Sequence, residues 1–224
     1  MKCYLPFVII AGVALITLGT GRMLYVAKQR AASASAGSPE QISVGQPGAQ
    51  PPRVRGEANA AVTVEEFGDF ECPPCAGLSR ALAQIKQDYG ARLRLIFRHS
   101  PLAKHQHALA AAYAAEAAGL QNRFREMHDL LYQHQASWHA AGDPRPLFNS
   151  YAALLRLDVE RFRTDAASEQ VKARVAADRG RAASLDVTET PTLFLNGRKL
   201  PSTFLPPDRL RVAIDATING KPAF

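Results

Sequence analysis

The chain has 224 residues, 47% apolar and 21% charged, enough to bury a core and too apolar to stay disordered. With 15 Gly, 15 Pro and three Cys, it is neither a collagen-like repeat nor a disulfide-stapled mini-protein. The net charge of +7 is unevenly spread: residues 1–56 carry Lys2, Arg22, Lys28, Arg30, Arg53 and Arg55 against the single acid Glu40, which points to a membrane surface and away from nucleic acid.

From Cys3 to Gly21 no residue is charged. As a helix this run reaches about 28 Å, close to the hydrocarbon thickness of a bilayer. Residues 1–27 therefore read as a signal anchor or a secretory signal peptide. The small-x-small sites around Ala32, Ala34 and Ala36 lie well past the apolar run, with Arg22, Lys28 and Arg30 between, an arrangement that favours an anchor. Residues 28–56, mostly Ala, Ser, Gly, Gln and Pro without an apolar period, read as a flexible linker. The folded domain is expected over 57–224.

Ala61 to Phe67 alternates and is rich in β-branched residues, a strand. A helix follows from about Pro74, with Leu78, Leu82, Ile85 and Tyr89 on one stripe and Gly90 closing it. Arg92 to Arg98 alternates arginine with Leu93, Leu95 and Phe97, a second strand. An alanine-rich stretch over about 103–184 carries several helical stripes, one with Phe124, Met127 and Leu131. Thr192 to Leu195 returns to strand and runs into Asn196-Gly197, a two-residue hairpin turn. Pro206-Pro207-Asp208 opens a last helix with Leu210, Ile214 and Ile218 on one face. The order predicts an α/β domain holding a helical insertion.

Cys72-Pro73-Pro74-Cys75 stands between the first strand and the first helix. Proline is tolerated in a helix's first turn, and a three-residue step there brings two sulfurs together. Cys75 joins the buried stripe three residues before Leu78, while Cys72 is expected at the exposed tip, where free N–H groups and the helix dipole favour a thiolate. Cys72 thus reads as a nucleophile and Cys75 as the thiol that resolves a mixed disulfide. The other readings are an inert disulfide and a metal site. So short a loop gains little from cross-linking. A zinc site would have to borrow two histidines, and His105 and His107, two apart, cannot share a helix face. Haem attachment requires His at position 76, which is Ala.

Glu66 shares a strand face with Val62 and Val64. If that face is inward, its carboxyl lies beneath the cysteines, where burial suits it to exchange a proton with Cys75; the alternative is a strand-end carboxylate reaching solvent beside Glu65 and Asp69. Pro191 precedes a strand, where a missing ladder donor is tolerated. His128 falls on the Phe124–Leu131 stripe and reads as a packed residue, His99 as a tether at the strand exit, and Trp138 as either core or groove.

The segment Glu66-Phe67-Gly68-Asp69-Phe70-Glu71-Cys72-Pro73-Pro74-Cys75 resembles the active-site strand and helix start of the DsbA-like family of thioredoxin-fold oxidoreductases. Arg98-His99-Ser100-Pro101-Leu102 resembles that family's second strand exit, and Phe124 to Leu131 a helix of its inserted domain. Thr190-Pro191-Thr192-Leu193-Phe194-Leu195-Asn196-Gly197 resembles its cis-proline loop and hairpin. The likeness runs in order over about 57–220. It implies a thioredoxin fold with a helical insertion, Cys72 as nucleophile, Cys75 as resolving thiol, Pro191 in a cis peptide facing them, Thr190 shaping a peptide groove, and Glu66 in the place of the buried acid. One departure is the Pro-Pro dipeptide between the cysteines. The best-known strong oxidants have Pro-His there, and that histidine helps to stabilise the thiolate.

The function expected is an extracytoplasmic thiol-disulfide oxidoreductase that donates its disulfide to cysteine pairs of unfolded secreted proteins, needs no organic cofactor or metal, and is reoxidised by a membrane redox partner. The alternatives are a reductase or isomerase kept reduced by a membrane electron donor, and a non-enzymatic copper or zinc binder using the reduced cysteines. An oxidising compartment is required, so the expected setting is the outer face of a bacterial inner membrane, with a monomeric soluble part and no nucleic-acid partner.

Overall fold

The computed structural model describes residues 46–224. The expected anchor, residues 1–27, lies outside the described residues; among those described, no helix is long and apolar enough to cross a membrane. The elements are β1 (Arg53–Arg55), β2 (Val62–Gly68), α1 (Pro73–Tyr89), β3 (Leu93–His99), α2 (Ala108–Leu120), α3 (Phe124–Gln133), α4 (Gln135–His139), α5 (Arg145–Leu154), α6 (Val159–Ala167), α7 (Glu169–Ser184), β4 (Thr192–Leu195), β5 (Arg198–Lys199) and α8 (Pro207–Ile218).

The sheet order is β1-β3-β2-β4-β5. β2 and β3 run parallel, joined by α1, and the other pairs are antiparallel. The alternation of β2 sends Val62 and Val64 toward α1 and α8, where they pack with Leu78, Leu82, Ile85, Leu93, Leu193, Leu210 and Ile214. That is the stripe expected from the sequence. Gly90 ends α1 at φ 53 and returns its N–H to the Lys86 carbonyl, a left-handed position that glycine takes without a Cβ penalty. The hairpin turn likewise uses positive φ at Asn196 and Gly197.

Between β3 and β4 the chain makes six helices. Most of α2 is alanine, and Ala111, Ala112, Ala114, Ala115, Ala117 and Ala118 are all covered. Such a helix has no polar face to offer water and sits at the centre of the insertion. Met127, Leu131, Trp138, Phe148 and Phe162 pack around it, and the same cluster takes in Phe70, Cys72, Cys75 and Phe97. The cysteines therefore lie at the seam between sheet and insertion.

Buried ion pairs also tie the two parts. Arg98 on β3 bridges Glu65 on β2 at 2.8 Å and Asp178 on α7 at 3.0 Å, and Arg181 reaches Glu65 at 2.7 Å. Against the cost of burial, hydrogen bonds from Arg181 and Arg98 hold the Glu65 carboxyl below its usual range. Glu116 on α2 takes His99 at 3.0 Å, Arg174 at 2.6 Å and Arg53.

This network corrects the expected linker boundary. The linker was expected to run to residue 56, yet residues 53–55 pair with β3 and residues 46–51 are strapped onto α7. Ala49 donates to Asp178 at 2.8 Å, Arg98 donates to the Ala49 carbonyl at 2.8 Å, and Arg174 donates to the carbonyls of Gln50 and Pro51 at 2.8 and 2.9 Å. The strap has no apolar period because side chains more than 120 positions further on hold much of its backbone.

Candidate active site

Cys72 caps α1 from an extended conformation, with Pro73 and Pro74 in the first turn. Its N–H donates to the Asp69 carbonyl at 3.1 Å and its carbonyl accepts from Cys75 N–H at 3.1 Å. Gln135 on α4 donates to the carbonyls of Phe70 and Cys72 at 2.6 and 3.0 Å, so the insertion clamps the turn that carries the nucleophile. Both cysteines are free thiols in this structure.

The expected exposure of Cys72 needs correction. It is 5% exposed and Cys75 0%. The loop before β4 folds over the helix tip and places the Thr190 carbonyl 3.3 Å from Cys72 Sγ. Cys72 nonetheless lines an open groove of about 500 Å³, walled by Pro73 and Pro74, by Leu102 to His105, and by Thr188 to Thr190. Reach into this groove, rather than bare exposure, separates the two sulfurs.

Their electrostatics differ sharply. A hydrogen bond from Cys75 draws the Cys72 thiol down to about 6 against the opposing effect of burial, and Thr190, whose buried hydroxyl has no hydrogen-bond partner, adds a smaller lowering. Cys75 is pushed far up, first because it donates that hydrogen bond and then by burial and the Glu66 charge. One thiol is set to be an anion at neutral pH and the other to hold its proton.

Glu66 stands opposite Phe97 on β3 and Leu193 on β4. It is 6% exposed, and its Oε1 has no hydrogen-bond partner. Burial pushes its carboxyl up to about 8. It lines a cleft of about 290 Å³ between β1, α1 and α3, together with Arg55, Ser79, Arg125 and His128. The inward face is the one observed. Pro191 sits in a cis peptide with Thr190 at the start of β4, and residues 188–190 form one wall of the groove.

Other residues at the site were given no part in it by the sequence reading. Asp69 is buried and accepts from Glu71 N–H, Leu102 N–H and His105 Nδ1 at 2.8, 2.8 and 2.7 Å. Glu71 accepts from His107 N–H at 2.6 Å and His139 Nδ1 at 2.9 Å. Asp69 thereby pins the loop after β3 to the loop before α1. The pair of histidines two residues apart had been weighed only as metal ligands, and nothing local links position 105 to position 69. Among the described residues no group of three or more His, Cys, Asp or Glu is arranged to hold a metal ion. His128 packs edge-on against Phe70, Phe97 and Tyr132, His99 ties β3 to Glu116, and Trp138 is core, its Nε1–H donating to the Leu131 carbonyl at 2.7 Å.

Known structures share this fold. BdbD from Bacillus subtilis superposes with a TM-score of 0.69 at 23% identity, covering 79% of this chain and 97% of that one. Wolbachia pipientis alpha-DsbA1 gives 0.67 at 20%, covering 76% and 92%. A thioredoxin-like oxidoreductase from Silicibacter pomeroyi DSS-3 gives 0.61 at 27%, covering 75% and 92%. In sequence, a protein named Na(+)/H(+) antiporter NhaA 1 from Salinispora arenicola is 45% identical over 148 residues, which are 65% of this chain and 22% of that protein. The chain thus spans about a fifth of the length of the curated relatives it matches. A family model described as Thioredoxin matches residues 49–216, from the strap to the last helix. That match covers well over half of the chain, so the protein belongs to the thioredoxin family, and the helical block between β3 and β4 gives it the fold seen in BdbD and alpha-DsbA1.

Proposed function

We propose that this chain is an extracytoplasmic thiol-disulfide oxidoreductase that donates a Cys72–Cys75 disulfide to cysteine pairs of secreted proteins. The observation that carries the reading is the unequal pair at the helix tip: Cys72 on a groove and drawn down to about 6, Cys75 buried and pushed up. A substrate thiolate attacks Cys72 Sγ. The bond between substrate and Cys72 forms, the Cys72–Cys75 bond breaks, and Cys75 leaves with the electron pair and takes a proton from Glu66, which holds one below about pH 8. A second substrate thiolate then attacks the substrate sulfur of the mixed disulfide, and Cys72 leaves as a stabilised thiolate. Two electrons pass to the protein, and the substrate gains its disulfide.

Thr190 and Pro191 shape the groove in which the substrate backbone lies. Likeness to DsbA-type folds supports work in an oxidising compartment, with the N-terminal segment as the membrane tether and a membrane redox partner as the electron acceptor. A match over 22% of an antiporter's length carries no ion transport to this chain. The test is Cys75→Ala in cells: the Cys72 thiolate attacks a substrate disulfide, the reverse of the last donation step, and without Cys75 the resulting mixed disulfide stays on Cys72. Covalent adducts with secreted cysteine-containing proteins, released by reductant and absent when Cys72 is also replaced, are expected; a complete lack of adducts rejects the proposal.

A further inference from the structure

The Pro-Pro dipeptide leaves no base between the cysteines, yet one stands across the groove. His105, on the loop after β3, lines the same groove as Cys72. Its Nδ1 is 2.7 Å from Asp69 Oδ2. Asp69 is itself fixed, its Oδ1 taking the Glu71 N–H and its Oδ2 the Leu102 N–H, both at 2.8 Å. A carboxylate held by two backbone donors accepts from Nδ1–H, which leaves the lone pair on Nε2. Among the described residues, Nε2 has no protein partner.

We infer that His105 is a catalytic base of the exchange reaction: oriented by Asp69, its Nε2 takes the proton from the incoming substrate thiol and so supplies the thiolate that attacks Cys72. An ordinary thiol with a pKa near 8.5 is only a few per cent ionised at neutral pH, so a positioned base at the point of attack has a rate gain to supply. The step balances. The substrate S–H proton moves to Nε2, the thiolate so formed makes the S–S bond to Cys72, Cys75 leaves with the electron pair and is protonated by Glu66, and the imidazolium returns its proton to solvent. The charged and titratable groups around His105 suit the role. Asp69 holds its Nδ1 from the loop before α1, and Cys72, Lys104 and Glu189 line the same groove. Tyr132 from α3 donates to the Asp69 backbone carbonyl at 3.4 Å.

The inference rests on the proposed attack at Cys72, and its test is independent of the direction of physiological electron flow. The oxidised full-length protein is reduced by dithiothreitol in stopped flow between pH 6 and 9.5, alongside His105→Asn. Asparagine keeps a donor toward Asp69 and removes Nε2. The variant should be about tenfold slower at pH 6.5 and equal the wild type near pH 9.5, where the attacking thiol is already ionised. Equal rates at pH 6.5, or a rate ratio that does not change with pH, overturns the assignment and leaves His105 as a loop tether. Should the variant not fold, the wild type decides. Its rate–pH profile must bend at the His105 titration midpoint read by NMR, and a profile that follows thiol ionisation alone refutes the inference. A low reduction potential would sink disulfide donation without touching this result.

Discussion

Replacing Glu66 with Gln keeps the shape of a buried side chain and removes its titrating proton. Burial lifts the Glu66 carboxyl from 4.5 to about 8, so between those values the folded chain holds a proton that the unfolded chain has released. The associated stability is fully present below about pH 4.5 and is lost as pH rises through about 8. At about 1.4 kcal/mol per pH unit, the wild type has given up about 3 kcal/mol by pH 7. Glu66→Gln escapes that loss. Urea unfolding of the oxidised proteins is the right assay, because in the reduced protein the depressed Cys72 pKa works in the opposite direction, adding stability above about pH 6. The Gln variant should be more stable by about 3 kcal/mol at pH 7, with the advantage shrinking toward zero at pH 4.5. A difference that is absent at pH 7, or that does not vary with pH, would show that Glu66 is not the buried neutral acid described above.

The Cys72 thiolate, followed by its absorbance near 240 nm, should titrate near pH 6 in the reduced wild type. Cys75→Ala removes the largest cause of that depression and should move the midpoint up by about one unit or more, a change of about 1.4 kcal/mol; an unmoved midpoint would assign the depression elsewhere. Arg98→Met leaves Glu65 and Asp178 without a shared buried partner and frees the Ala49 carbonyl of the strap. A loss of about 3–5 kcal/mol in urea unfolding is expected, and a loss below about 1 kcal/mol would place the network's weight on Arg181 instead.

The regular elements were legible because their signals are local. The stripe Leu78–Leu82–Ile85–Tyr89, the glycine at 90 and the Asn196-Gly197 turn each reveal themselves within one element. The two-residue period of β2 grouped Glu66 with Val62 and Val64 on one face, and the packing of the sheet decided that this face is inward. Three features had no such signal. The 46–55 strap is held by Asp178, Arg174 and Arg98, and no window on a polar, proline-rich stretch sees partners that distant. The cover over Cys72 is a carbonyl 118 residues away, so the helix-tip argument found the nucleophile and overstated its exposure. The bond from Asp69 to His105 joins two loops that only the parallel pairing of β2 and β3 brings together. In each case a tertiary contact decided what periodicity could not.

The account depends on a disulfide that is less stable than the thiolate and thiol replacing it. Equilibrating the protein in glutathione buffers and counting free thiols by alkylation and mass spectrometry gives its reduction potential directly. Stabilisation of the Cys72 thiolate should place that potential well above the roughly −270 mV of a reducing thioredoxin, toward the oxidising end of the family's range. A value at or below that figure, or a cysteine pair that stays locked in one state across all buffers, would contradict disulfide donation.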